Sequence, residues 1–315
     1  MKPILGNVTS FAPSNGRLQL LSVDQIRAND GHLVRSYSEL ISKLAQLAFN
    51  NPDFVLLMRG QSREHMEDSK TTLFPTIYRR PSHGPDFYSS ELEDRYALLK
   101  RNEERLYHIL RSTAYWDRVG RSDIARWAIL QHYEVCPTPL LDVTQSALVA
   151  CSFAFLGNQT ANANHFFLYV LGVPQINGSI TVSPNHSLQV VRLSSVCPPE
   201  TLRPYFQEGY LIGNYPNVDT LDEKMRYDRS EMDCAKRLIA KFKISKSPEF
   251  WDVGFQKLPE SAVYPEENGE LCAKLFRMAR PVEPPIQQPP TQTPRHPKKH
   301  RLQSATENIT NQLPL

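Results

Sequence analysis

Two short stretches of this chain carry side chains able to do chemistry. At 54–62 an apolar run, FVLLM, stops at Arg59-Gly60-Gln61-Ser62, a guanidinium followed by a glycine and two hydrogen-bonding side chains. Arginine is costly to bury unpaired, so at a strand end it either pairs with a carboxylate or faces a cleft. Its planar fork matches phosphate or carboxylate in bidentate fashion, and Gly60 lets another backbone or a ligand come close. A structural ion pair with Asp142 or a nearby glutamate is the competing reading. The second stretch, QHYEVCPTPLLDVTQSALVACSFAF from Gln131, gathers His132, Tyr133, Thr138, Asp142, Thr144, Gln145 and Ser146 ahead of an apolar segment. Taken singly, Thr144 reads as a helix cap, Asp142 as a turn or orienting residue, and His132 as a partner of a helix dipole. Beside an arginine strand end they read as one candidate site.

These residues need elements to hold them. Leu40, Ile41, Leu44, Leu47 and Ala48 recur at helical spacing and predict a helix over 36–49. FVLLM reads as a strand, and 60–72 as a polar stretch. A longer helix is expected over 89–112 and another over 122–132, with Ser122 as its cap. Residues 139–143 suit a strand end or loop, after which Thr144 caps a core helix beginning at Gln145. The segments 165–173 and 188–193 are rich in aromatic and β-branched residues and read as strands, 205–213 as a shorter one, and 236–244 as a half-buried strand. A last helix is expected over 270–279. Helices and strands mix without a βαβα rhythm, which predicts an α+β fold of mixed or antiparallel sheets with flanking helices. Residues 1–34 read as an N-terminal extension, 35–280 as the main domain, and 281–315 as a proline-rich, basic, disordered tail.

Composition narrows the function classes. Of 315 residues 40% are hydrophobic, enough for a sizeable core. Lys and Arg outnumber Asp and Glu by only 36 to 33, which argues against a protein that coats nucleic acid, although a local basic groove remains compatible. No apolar run reaches membrane-spanning length, and the N-terminal residues lack a secretory pattern. Five dispersed cysteines, Cys136, Cys151, Cys197, Cys234 and Cys272, form no CxxC pair, so a cytoplasmic setting without a metal site is expected. Cys136 and Cys151 lie near His132 in sequence but in no recognisable triad order, which makes nucleophilic hydrolysis the weakest reading.

The same stretches carry a family resemblance. MRGQ at 58–61 resembles the Phe-Arg-Gly signature of the FRG domain family, with Met58 in place of the phenylalanine. The stretch from Gln131 is similar to the family's His-Tyr…Leu-Leu-Asp block, RPYFQEGYLI at 203–212 to its Arg…Gln-x-Gly segment, and AVYPEENGELCAKLF to its closing block. Glu134 stands at a usual glycine position, Pro139 at a usual arginine and Val143 at a usual tryptophan; the change at 139 removes one anion contact.

A more distant similarity is to ADP-ribosyltransferases, in which an Arg-Gly strand, a hydroxyl-bearing segment before a helix, and a glutamate or glutamine on a later strand occur in this order. That resemblance implies NAD as substrate and ADP-ribosyl transfer to a protein or nucleic-acid acceptor, as in toxins or antiviral defence effectors held in check by an antitoxin or other regulator. Arg59, Gly60 and Gln61 would then hold the pyrophosphate or ribose, with Asp142 and Thr144 contributing to the cofactor site. Glu208 would stabilise the positive charge developing on the sugar, with Gln207 orienting it. His132 or Tyr133 would flank the nicotinamide or relay a proton. Glu208 as a plain exposed carboxylate, and the whole cleft as a nucleotide- or phosphate-binding sensor without turnover, are the alternatives.

Overall fold

The computed structural model of the chain describes residues 1–80, 89–120, 122–157, 164–216, 229–266 and 270–279. The chain begins with β1 (Asn7–Phe11), β2 (Leu18–Ser22), α1 (Val23–Ala28) and β3 (His32–Val34). Next come α2 (Tyr37–Asn50), β4 (Val55–Gln61) and the two-residue strands β5 (Met66–Glu67) and β6 (Lys70–Thr71). Three helices follow, α3 (Ser89–Arg111), α4 (Trp116–Val119) and α5 (Asp123–His132). After them run β7 (Leu140–Thr144), α6 (Ala147–Leu156), β8 (His165–Val173), β9 (Ile180–Ser183) and β10 (Leu188–Arg192). The described chain closes with α7 (Leu193–Val196), α8 (Arg203–Phe206), β11 (Gly209–Asn214), β12 (Leu238–Ser245), α9 (Glu260–Val263) and α10 (Glu270–Ala279).

Eight strands form one sheet in the order β3-β12-β8-β4-β7-β11-β10-β9. Only β3 and β12 run parallel; the other neighbours are antiparallel, so the sheet is mixed and the fold is α+β. Its centre is where the site forms. β4 pairs with β8 along its whole length, from Val55↔Val173 to Gln61↔Phe167, and β7 pairs with β11 from Thr144↔Gly209 to Leu140↔Gly213. Between β4 and β7, however, only Met58↔Thr144 is registered. The sheet is therefore split beyond that pair, and backbone groups that a continuous ladder would satisfy need other partners.

Helix α6 lies over this split. It is apolar on nearly every side and packs most closely on β4, where a Cβ built on Gly60 would stand 1.8 Å from the Ala150 carbonyl oxygen. Gly60 thus serves helix-on-strand packing. Its neighbour in the strand, Arg59, projects to the opposite face by the two-residue alternation of a β-strand.

Several sequence expectations need correction. β4 does not stop at the arginine but carries Arg59, Gly60 and Gln61 within it. α6 begins at Ala147, and its cap is Ser146, whose hydroxyl accepts from the Val149 N–H; Thr144 closes β7 instead. Residues 205–213 divide between α8 and β11. β12 is buried on both faces, because Lys241, 3% exposed, is neutralised internally: its Nζ donates to Glu64 Oε1 at 2.6 Å and to Thr71 Oγ1 at 2.9 Å. A buried lysine paired in this way mimics the polar half of an alternating strand.

Nor are residues 1–34 an appendage. β3 pairs with β12, Val8, Phe11, Val23, Ile26 and Val34 join the core, and Met1–Arg280 packs as one unit. The expected disordered tail at 281–315 lies outside the described residues.

Candidate functional site

The split between β4 and β7 opens into a cleft of ≈ 340 Å³, within the range of small-ligand sites. Its walls bring together residues far apart in sequence: Arg59, Gly60, Gln61 and Arg63 from β4 and the following turn, His132 and Glu134 from the end of α5, and Asp142 and Thr144 from β7. Arg203 and Gln207 from α8 and its exit, Tyr210 from β11 and Tyr264 after α9 complete them.

Arg59 sits where the ladder fails. Its Nη1 donates to the carbonyl oxygen of Asp142 at 2.6 Å, so a guanidinium takes over a carbonyl on the open edge of β7. Its Nε, also buried, has no protein partner. Burial pulls the guanidinium below its ordinary value, with Asp142 acting in the opposite direction. The Asp142 carboxylate itself is engaged elsewhere, accepting from Gln131 Nε2 at 2.8 Å. Burial raises its pKa, and Arg59 and Gln131 work against that rise. Gln131 is in turn fixed by the hydroxyls of Thr76, at 3.0 Å, and Thr138, at 2.6 Å. The expected Arg59–Asp142 partnership therefore exists through the aspartate's backbone, which leaves much of the arginine fork uncommitted.

Thr144 closes the other side of the split. Its hydroxyl donates to the carbonyls of Gln207, at 2.9 Å, and Glu208, at 3.1 Å, and accepts from the Ser146 N–H at 3.0 Å. A hydroxyl has one proton to give. The expectation that Thr144 donates to a cofactor is thus corrected: it staples β7 to the segment leading into β11. Gln207 follows from that staple. It is buried, lines the cleft, and donates from Nε2 to the Val263 carbonyl at 2.8 Å, holding α9 against the site.

Glu208 does not join it. The residue is exposed, lies outside the cleft walls, and adopts a left-handed backbone with φ 45°. Glu208, the carboxylate expected beside the sugar, thus lies outside the cleft, with β11 beginning one residue later and Gln207 lining the walls. Tyr133 is likewise absent from the walls. It is 2% exposed and belongs to the core between α3, α5 and β11, its ring edge-to-face with that of His132.

His132 does line the cleft, 4% exposed, with Nε2 unpartnered. Burial, reinforced by Arg203, pushes its pKa down to about 3, so near neutrality the imidazole is uncharged. A neutral imidazole beside Arg203 serves as a hydrogen-bonding group rather than a resident acid. Gln61 Oε1 is a second buried acceptor without a partner, also in the cleft walls.

Residues that sequence reasoning passed over finish the site. Arg203 CZ stands 4.9 Å over the Tyr264 ring, and Tyr264 packs edge-to-face on Phe153 at 5.7 Å, giving an aromatic wall beside the cations. Arg63 and Arg203 extend the positive field of Arg59, and burial with Arg63, Arg79 and Arg59 lowers the pKa of His65 on the rim. The signal for Arg203 lay within the quoted RPYFQEGYLI block and that for Tyr264 within AVYPEENGELCAKLF, but neither block by itself says that the two side chains meet.

Glu134 also lines the cleft, as the left-handed C′ residue of α5 with φ 55°. Its N–H donates to Gln131 O at 3.0 Å and that of Val135 to Leu130 O at 2.9 Å, the hydrogen-bond pair of a Schellman ending. Glycine takes this conformation freely, which explains the glycine of the FRG pattern, whereas a glutamate costs about 1–2 kcal/mol there.

Among proteins of known family, the model described as FRG domain matches residues 56–163, from within β4 to beyond α6. The match supports the FRG resemblance over the segment that supplies Arg59, His132, Glu134, Asp142 and Thr144. No curated protein and no solved structure matches the chain. Among the described residues, no helix is long and apolar enough to cross a membrane.

Proposed function

We propose that the cleft binds NAD and transfers its ADP-ribosyl group. The observation that carries this reading is the adjacency of β4, β7 and β11 in the sheet, with Arg59 on the first strand, Thr144 at the end of the second, and Gln207 leading into the third. That is the order of an Arg-Gly strand, a hydroxyl segment before a helix, and a glutamine on a later strand. In this reading the free donors of Arg59 hold the pyrophosphate, with Arg63 and Arg203 adding to the field. The Phe153–Tyr264 wall accepts a planar ring, for which edge-to-face and stacked aromatic contacts are favourable. His132 and Gln61 offer unpartnered polar atoms to a carboxamide or ribose hydroxyl. Gln207 replaces Glu208 as the polar group at the third strand.

A second reading, a nucleotide sensor without turnover, is favoured by the position of Glu208 outside the walls. One experiment separates the two. Protein incubated with NAD labelled in the adenylate half, cell protein and cell RNA is expected to transfer label to one pool. The Arg59→Ala variant is expected to lose transfer, and Glu208→Gln to retain it. Binding of NAD without consumption establishes the sensor; neither binding nor consumption removes both readings.

A further inference from the structure

The cleft walls carry two carboxylates among the described residues, Asp142 and Glu134. Asp142 is half-buried, bonded to Gln131 and flanked by Arg59, so it is committed to holding the split sheet. Glu134 is the opposite case. Its side chain is 74% exposed at the rim, with Oε1 4.0 Å from an Arg203 nitrogen, and it faces the same cavity as His132 and Tyr264. The backbone at this position is left-handed, within a helix ending that glycine would complete without strain. A carboxylate stands here at a backbone cost, on the solvent side of the cleft, and strained backbone of this kind clusters at functional sites.

We propose that Glu134 is the general base of the site, acting on the incoming acceptor; the proposal rests on the transferase reading. The C1′–N bond to nicotinamide breaks, its electron pair returning to the ring nitrogen so that neutral nicotinamide leaves. C1′ bonds to the oxygen, nitrogen or sulfur of the acceptor, whose proton passes to the Glu134 carboxylate and from there to water. The acceptor reaches the rim from solvent, so a base exposed at the rim meets it, whereas a base at the buried end would not. Arg203, with a side-chain nitrogen 4.0 Å from Glu134 Oε1, places a positive charge beside the carboxylate.

Three proteins test this: wild type, Glu134→Gln, which keeps size and backbone, and Glu134→Gly, which relaxes the left-handed position. NAD affinity is measured by calorimetry, and transfer by label incorporation into the accepting pool. Both variants are expected to bind NAD within about twofold of wild type and to transfer at least about 100-fold more slowly. Glu134→Gly is expected to melt at a higher temperature than wild type, separating loss of the base from loss of the fold. Unchanged transfer in the variants overturns the role of Glu134 alone. Loss of NAD binding in both variants also overturns it, since Glu134 would then only position Arg203. Absence of transfer by wild type overturns the transferase reading and this inference with it.

Discussion

At the scale of single residues, the site is defined by which polar groups are already used. Thr144 has its proton committed to two carbonyls, Asp142 has its carboxylate committed to Gln131, and Arg59 has most of its fork to spare. His132 is the residue whose state is most measurable. Its imidazole, ordinarily near 6.5, is pushed down to about 3 in the folded protein. Between these values the unfolded chain binds a proton that the folded one excludes. The stability this contributes is complete above about pH 6.5 and is lost as pH falls toward 3, at about 1.4 kcal/mol per pH unit. Asp142, whose pKa is raised, contributes with the opposite sign as pH falls. Urea unfolding at pH 7, 6 and 5 is expected to show a steeper loss for wild type than for His132→Gln. Because Asp142 is common to both, the difference reports His132. Parallel profiles would mean that the buried imidazole is protonated in the fold.

At the scale of elements, the cleft exists because β4 and β7 part after one pair while α6 lies over the gap. Gly60 sets how closely that helix approaches, since an added Cβ would meet a backbone oxygen that no rotamer change can move. Gly60→Ala is expected to cost at least about 3 kcal/mol in urea unfolding and to displace α6 from the site. A loss under about 0.5 kcal/mol would show that the helix has room to shift. Much of this element level was legible in the sequence. The helix at 36–49 stands where its apolar spacing put it, the helix at 122–132 begins at its Ser122 cap, and the strand at 165–173 stands where its aromatic and β-branched content put it. What was not legible depended on partners distant in sequence. Glu208 reads as the site acid because the ADP-ribosyltransferase resemblance puts a glutamate on a later strand, but it precedes β11 with a left-handed backbone and lies outside the cleft walls. Lys241 reads as solvent-facing until Glu64 and Thr71 are seen beneath it. Thr144 and Ser146 are two residues apart, and the choice of cap between them was decided by β11, whose lead-in claims the threonine.

At the scale of the whole molecule, the first 34 residues and the site belong to one core. β3 completes the sheet edge on β12, and β12 pairs with β8, which in turn pairs with the Arg59 strand. Deletion of residues 1–34 removes the strand paired with β12 at Phe242 and Ile244, and the Phe11 ring beside Phe242, and is expected to abolish cooperative thermal unfolding. A truncated chain that still melts in one sharp transition would return those residues to the status of an extension. In the proposed function the split sheet presents Arg59 to the pyrophosphate of NAD. The most direct test is calorimetric titration of NAD into wild type and Arg59→Ala, with urea unfolding run on both. Saturable binding by wild type is expected, with at least about tenfold weaker binding by a variant that still unfolds cooperatively. Equal affinity in the two proteins, or no binding by wild type, would contradict it.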